Sequence, residues 1–301
     1  MRDALVQAVK DAIVLECKLP HADSGLECSC LTTNNDFCFR NENPNDISKI
    51  IYNGIVEFAE NEFLIDYEKL ELEQLKAIKR RIRYNPSATD DTKLKYGFYG
   101  EVLLDLILRC LLRTNVLVAR GYFYSGLEGG EPKGFDSFHI TESKDKLDLW
   151  LGEAKFYLAH QQPIKDILEK LPLTLSDDYL NKNLIALLDL ESRFTTTNGR
   201  LKTVFELWEE NPNINLANEL KTHQIRLTYP IFLAYQKNQT DSFYESISKC
   251  ITYIASACKR INFSPAPTVD YRLFFMFLPL SEVKRIKERV IEWIDSQEPL
   301  I

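Results

Sequence analysis

Residues 147–157 read LDLWLGEAKFY. Side chains alternate faces along a strand, so Leu147, Leu149, Leu151, Glu153, Lys155 and Tyr157 share one side, and Asp148, Trp150, Gly152, Ala154 and Phe156 the other. The leucines require a core on their side, and the same side then turns to a carboxylate and an ammonium. Whatever fold this chain adopts must therefore bury the start of this strand and let its charged end project into a cleft.

Glu-x-Lys is not distinctive by itself, since it recurs at Glu16, Glu131, Glu142, Glu219 and Glu282. The Glu153 copy differs in context. It ends an apolar strand preceded, across the polar turn TESKDK, by a second strand, FDSFHI, whose start carries Asp136. Paired as an antiparallel hairpin, the two strands bring Asp136 close to Glu153. Two adjacent carboxylates repel unless a cation lies between them. Mg²⁺, with Mn²⁺ as an alternative, suits that place because it takes oxygen ligands and is usually held by one or two carboxylates plus substrate phosphate. Lys155 would then orient or help deprotonate a metal-bound water and stabilise charge building on phosphorus. The trio reads as a phosphodiesterase site, or else as a surface hairpin with ordinary ion pairs.

A further acid comes from the helix YGFYGEVLLDLILRCLLR, where Glu101 shares a face with Leu104, Asp105, Leu108, Leu111 and Leu112. Glu101 reads either as a metal ligand or as a first-turn residue favoured by the helix dipole, and Asp105 as structural. His139 falls on the opposite face of its strand from Asp136 and reads as a core residue. His160, Gln161 and Gln162 start a helix after the charged strand, where Gln161 could meet a phosphate or simply cap the helix.

The rest of the chain sets these residues in an α/β frame. Residues 1–90 read as a separate α/β subdomain, with strands at IVLECKL and LECSCLT, a helix at DISKIIYNGIVEFAE capped by Asp46, and a second helix through DYEKLELEQLKAIKRRIRY. NPSATDDTK, residues 85–93, reads as a linker, and 91–301 as the main domain. There NVLVARGYFYS, IRLTYPIFLAY and YRLFFMFLPL are strands, and SFYESISKCITYIASACKRI and SEVKRIKERVIEWIDSQ are helices. Between Gly121 and Gly134 the chain spends five of its eleven glycines in a loop that lacks the G-K-[ST] of a phosphate-binding P-loop.

Charge and cysteine usage narrow the function. The 301 residues carry a net charge of -7, so any nucleic-acid activity needs local basic patches or delivery by a partner. Lys79, Arg80, Arg81 and Arg83 could be such a patch or a solvated helix C-terminus, and Lys133 lies in the glycine-rich loop. Seven cysteines, an odd number, with no apolar leader at MRDALVQAVKDAIVLECKLP, imply reduced thiols in a soluble, cytoplasmic protein that does not enter a membrane. Four of the thiols lie in the first 38 residues without C-x-x-C spacing, which favours buried thiols over a zinc site.

The order of helix with Glu101, strand, GFD at 134–136 and GEAK at 152–155 followed by a helix is similar to the PD-(D/E)xK nuclease superfamily over residues 96–171. FDSFHI with LGEAKFY more narrowly resembles the HamA family, nuclease subunits of Hachiman anti-phage defence systems, across the whole chain. Gly-Phe stands before Asp136 where the superfamily has proline. The resemblance implies a restriction-endonuclease-like α/β core, a mixed central sheet flanked by helices. It also implies Mg²⁺-dependent DNA cleavage by Asp136, Glu153 and Lys155 with Glu101, and a superfamily 2 helicase partner that holds the nuclease in check. The acidic net charge agrees with delivery by such a partner, and the N-terminal unit or the acidic surfaces are where it is expected to dock. An inactive nuclease-fold adaptor and an RNase remain the alternatives.

Overall fold

The computed structural model describes residues 1–26, 31–123, 134–143, 146–188, 190, 204, 206, 215–259 and 269–301. Among the described residues seven strands form one sheet: β1 (Val14–Leu19), β2 (Asp36–Arg40), β3 (Asn115–Val116), β4 (Ser137–Glu142), β5 (Leu147–Tyr157), β6 (Ile225–Gln236) and β7 (Tyr271–Leu280). Their order is β1-β2-β7-β6-β5-β4-β3. The centre β2, β7, β6, β5 is parallel, while β1 and the β4–β3 edge run antiparallel.

Helices cover both faces. The described helices are α1 (Asp3–Ala12), α2 (Pro44–Ala59), α3 (Leu70–Lys76), α4 (Asp90–Lys93), α5 (Phe98–Cys110), α6 (Gln161–Thr174), α7 (Asp177–Leu188), α8 (Leu216–Thr222), α9 (Phe243–Cys258) and α10 (Val283–Ser296). One apolar layer joins α1, α2, α5 and α10 to Trp150, Ala154, Phe156, Phe232, Phe274 and Met276. The other joins α6, α7 and α9 to Leu147, Leu149, Leu151, Tyr229, Phe275 and Phe277. This double cover explains why β7 reads YRLFFMFLPL with no polar alternation, because a central parallel strand has no solvent face.

The N-terminal residues do not build a sheet of their own. Strand β2 pairs in parallel with β7, and α2 shares the layer of α5 and α10, so residues 1–90 extend the same sheet and core. The stretch expected as a linker contains α4, capped by Thr89, and its buried Lys93 pairs with Asp295 at 3.0 Å. Helix α2 starts earlier than expected: Asn43, not Asp46, is the cap, accepting from the Asn45 N–H, with Pro44 pre-setting the first turn. Over its described residues, 115–123, NVLVARGYFYS yields the short β3, followed by a 3-10 turn over Arg120–Phe123. Much of LECSCLT, with Cys28 and Cys30, lies outside the described residues. Cys17 and Cys38 are cross-strand neighbours that are not joined in a disulfide. No helix among the described residues is long and apolar enough to cross a membrane.

Candidate active site

The β4–β5 hairpin forms with the register expected of it, Ser137 opposite Gly152 and Glu142 opposite Leu147. Asp136 sits one residue before the ladder. Its N–H donates to the Gly152 carbonyl at 2.8 Å, and its Oδ2 accepts from the Ala154 N–H at 2.9 Å. Asp136 thus clasps β5 on either side of Glu153.

Glu153 and Lys155 continue the face of Leu147, Leu149 and Leu151, toward α6 and α7. Lys155 Nζ donates to Glu153 Oε1 at 2.5 Å. Burial and the neighbouring Asp136 charge push the Glu153 carboxyl up to about 7, against the opposing pull of Lys155. Burial works against the Lys155 ammonium, but the Glu153 and Asp136 carboxylates outweigh it and hold its pKa above the ordinary range. Lys155 is therefore a fixed cation at neutral pH, which favours a charge-stabilising role over that of a base.

Glu101 arrives from the other side. Helix α5 packs against the Ala154 and Phe156 face, where Gly100 lies over both residues. Glu101 is buried, and its Oε2 accepts from Arg120 Nε at 3.2 Å, while Arg120 Nη2 donates to Asp136 Oδ1 at 3.4 Å. Glu101 is thus joined to Asp136 through an arginine. Among the described residues no three Asp, Glu, His or Cys side chains converge as a ligand set, because Glu101 and Glu153 reach Asp136 from opposite faces of the sheet. Asp105 and His139 form a structural pair, His139 Nε2 lying 2.9 Å from Asp105 and Nδ1 2.8 Å from Thr114.

A cleft of about 810 Å³ opens at the carboxyl end of β5, the end where α/β sheets commonly bind ligands. Glu101, Asp136 and Lys155 line it together with Lys95, Lys284 and Lys287, while Glu153 is not among the lining residues. Lys287 donates to the Leu94 carbonyl at 2.9 Å and lies over the Tyr99 and Phe156 rings. None of Lys79, Arg80, Arg81 and Arg83 lines the cleft. Lys79 and Arg80 are exposed, and Arg81 pairs with Glu60 at 2.5 Å. Gln161 is exposed and does not line the cleft, whereas its neighbour Gln162 does, donating to Asp166 at 2.6 Å. Lys133 lies outside the described residues.

Arg120 and the cleft lysines escaped sequence reading. Arg120 left one signal, a lone charge inside the apolar run NVLVARGYF. Lys95, Lys284 and Lys287 left none, because they meet only through the fold.

The Glu153 carboxyl also gives a pH signature. Its folded pKa, about 7, lies above the ordinary 4.5, so the folded chain holds a proton that the unfolded chain releases between those values. This group's contribution to stability is therefore full below 4.5 and is lost as pH rises through about 7. Thermal melts in chelator at about pH 5 and about pH 8 should show Glu153→Gln losing less stability than wild type over that interval. Parallel losses in the two proteins would contradict the assignment.

Sheet, helical layers and carboxyl-end cleft define an α/β protein whose architecture is compatible with a restriction-endonuclease-like core. The family model described as HamA matches residues 8–294, and the chain belongs to that family, which ties it to Hachiman defence. No curated protein matches the chain. No solved structure matches it either.

Proposed function

We propose that this HamA protein is a Mg²⁺-dependent DNA nuclease of the PD-(D/E)xK kind, restrained by a superfamily 2 helicase partner. The observation that carries the reading is the placement of Asp136, Glu153 and Lys155 at the end of one buried hairpin, with Glu153 driven toward protonation by burial and by Asp136. Structural ion pairs seldom put two carboxylates together where one is destabilised. Such a pair is a ready ligand set for a divalent cation.

The donor chemistry fits Mg²⁺. Asp136 and Glu153 offer the carboxylate oxygens this ion prefers, and a dication beside them would relieve the repulsion that now raises Glu153. When bound, Mg²⁺ polarises a phosphoryl oxygen and acidifies water. The remaining roles belong to the chain. Ala154 N–H fixes the orientation of Asp136. Glu153 holds the Lys155 ammonium at the cleft, where its permanent charge stabilises the negative charge that develops on a phosphodiester under attack.

Plasmid DNA incubated with the full chain in Mg²⁺ or in chelator tests the reading. Metal-dependent nicking that disappears in Glu153→Ala supports it, and suppression of nicking by the co-purified helicase supports the partnership. Absence of nicking with the activated partner present would favour the adaptor.

The cleft lysines make a separate prediction about the substrate. Lys95→Gln with Lys284→Gln should weaken DNA binding roughly tenfold and lower the salt slope by about 1–2, as expected for two lost phosphate contacts. The pair Lys79→Gln and Arg80→Gln, away from the cleft, should change binding by less than about twofold. Filter binding over a salt series measures both, and the reverse ranking would relocate the DNA path to the expected basic cluster.

A further inference from the structure

An arginine of the chain already occupies one of the acids assigned above to a divalent cation. Arg120 is 3 % exposed and bonds both Glu101 Oε2 and Asp136 Oδ1, with its guanidinium 5.6 Å from the Phe123 ring. Asp136 Oδ2 accepts from the Ala154 N–H, and Oδ1, the oxygen free of backbone bonds, faces Arg120, so an ion drawn to Oδ1 meets the guanidinium there. Two cations cannot share that oxygen without repelling one another in a buried site.

Arg120 is held from outside the site. It begins the 3-10 turn through Phe123, and Gly121 in that turn sits so close to the Ala59 carbonyl that any side chain there would overlap it. Tyr122 donates its hydroxyl to Glu60 at 2.9 Å. Arg81 pairs with Glu60 and lies 4.3 Å from the centre of the Tyr122 ring. The end of α2 and the π-helical turn Ala77–Arg81 that follows α3 thus fasten the turn that carries Arg120.

We propose that Arg120 is a built-in competitor for the divalent cation, a positioning residue that holds Asp136 in the ion's place and is itself anchored by Glu101. The inference rests on the metal-nuclease reading for the role of Asp136. It gives Glu101 the task of retaining the arginine instead of binding metal. It also gives the seam of Ala59, Glu60, Arg81 and Tyr122 control over metal loading, since the guanidinium leaves Asp136 only when that turn yields.

The test is Mn²⁺ binding to the full chain by calorimetry, without nucleic acid. Arg120→Gln should bind Mn²⁺ about tenfold more tightly than wild type, as expected when a like charge at hydrogen-bond distance is removed from a partly screened site. Arg120→Lys, which keeps the charge, should stay within about threefold of wild type. Tyr122→Phe keeps the ring under Arg81 but loses the bond to Glu60, and should tighten binding about threefold while leaving Arg120 and its acids intact. Tyr122→Phe carries the test if Arg120→Gln does not fold.

Unchanged or weaker Mn²⁺ binding in Arg120→Gln and Tyr122→Phe overturns the competitor role. If Asp136→Asn abolishes wild-type binding while Arg120→Gln leaves it unmoved, this inference fails and the metal reading stands. No Mn²⁺ binding by wild type or any variant sinks both.

Discussion

Lys155→Ala should lower Mg²⁺-dependent nicking by about 10²–10³-fold, the loss typical of removing one preorganised charge from a phosphoryl or acyl transfer site. Two effects combine. The cleft loses the cation held at 2.5 Å from Glu153, and Glu153 loses the neighbour that opposes its protonation. With burial and Asp136 still acting, the Glu153 pKa would climb further above 7, leaving a neutral acid at the pH where an oxygen donor is needed. Raising pH and Mg²⁺ together should therefore recover part of the activity of Lys155→Ala but none of that of Glu153→Ala. Lys155→Arg keeps the charge yet spreads it over a planar fork, and should retain an intermediate rate. Initial rates of supercoiled plasmid loss measure all three, with a thermal melt confirming that each variant folds. A Lys155→Ala rate within about threefold of wild type would remove Lys155 from the chemistry.

The hairpin bearing these residues was legible because every signal was local. FDSFHI and LDLWLGEAKFY alternate, and a short polar turn joins them, so the pairing that brings Asp136 to Glu153 follows from period and loop length. Strands β6 and β7 were legible from their apolar runs. The N-terminal boundary was not. Strand β2 pairs with β7 about 240 residues away, and no local pattern in DFCFR specifies a parallel partner that distant. The same limit applies to the site. The run KRRIR stood out by composition, yet its Arg81 is spent on Glu60 and Tyr122, while the cleft collects its lysines from β5, α10 and the turn after α4. NVLVARGYF has the β-branched residues of a strand, but Gly121 against Ala59 and Arg120 between two acids turn the chain after Val116.

Gly152→Val should cost about 3 kcal/mol or more of stability and displace Asp136, which makes Gly152 a link between fold and site. A Cβ at residue 152 would lie 2.5 Å from Ser137 Oγ, 2.9 Å from Leu104 Cδ2 and 3.2 Å from Pro230 Cγ. Three different elements, β4, α5 and β6, crowd that point. The Ser137 hydroxyl and the Leu104 methyl can rotate away, so Gly152→Ala should cost only about 1–2 kcal/mol. The Pro230 ring cannot rotate, and the two added methyl groups of valine would have to push β4 from β5. Asp136, which directly precedes β4, would move with it and lose the bond its N–H makes to the carbonyl of residue 152. Chemical melts should therefore show valine well below alanine in stability, and Gly152→Ala in a Ser137→Ala background should recover about 1 kcal/mol of coupling as the nearest clash is deleted. Additive effects in that cycle would mean that Ser137 already turns aside at no cost. A Gly152→Val protein of wild-type stability would mean that α5 does not press on β5 at this point, and the route by which Glu101 approaches Asp136 would lose its support.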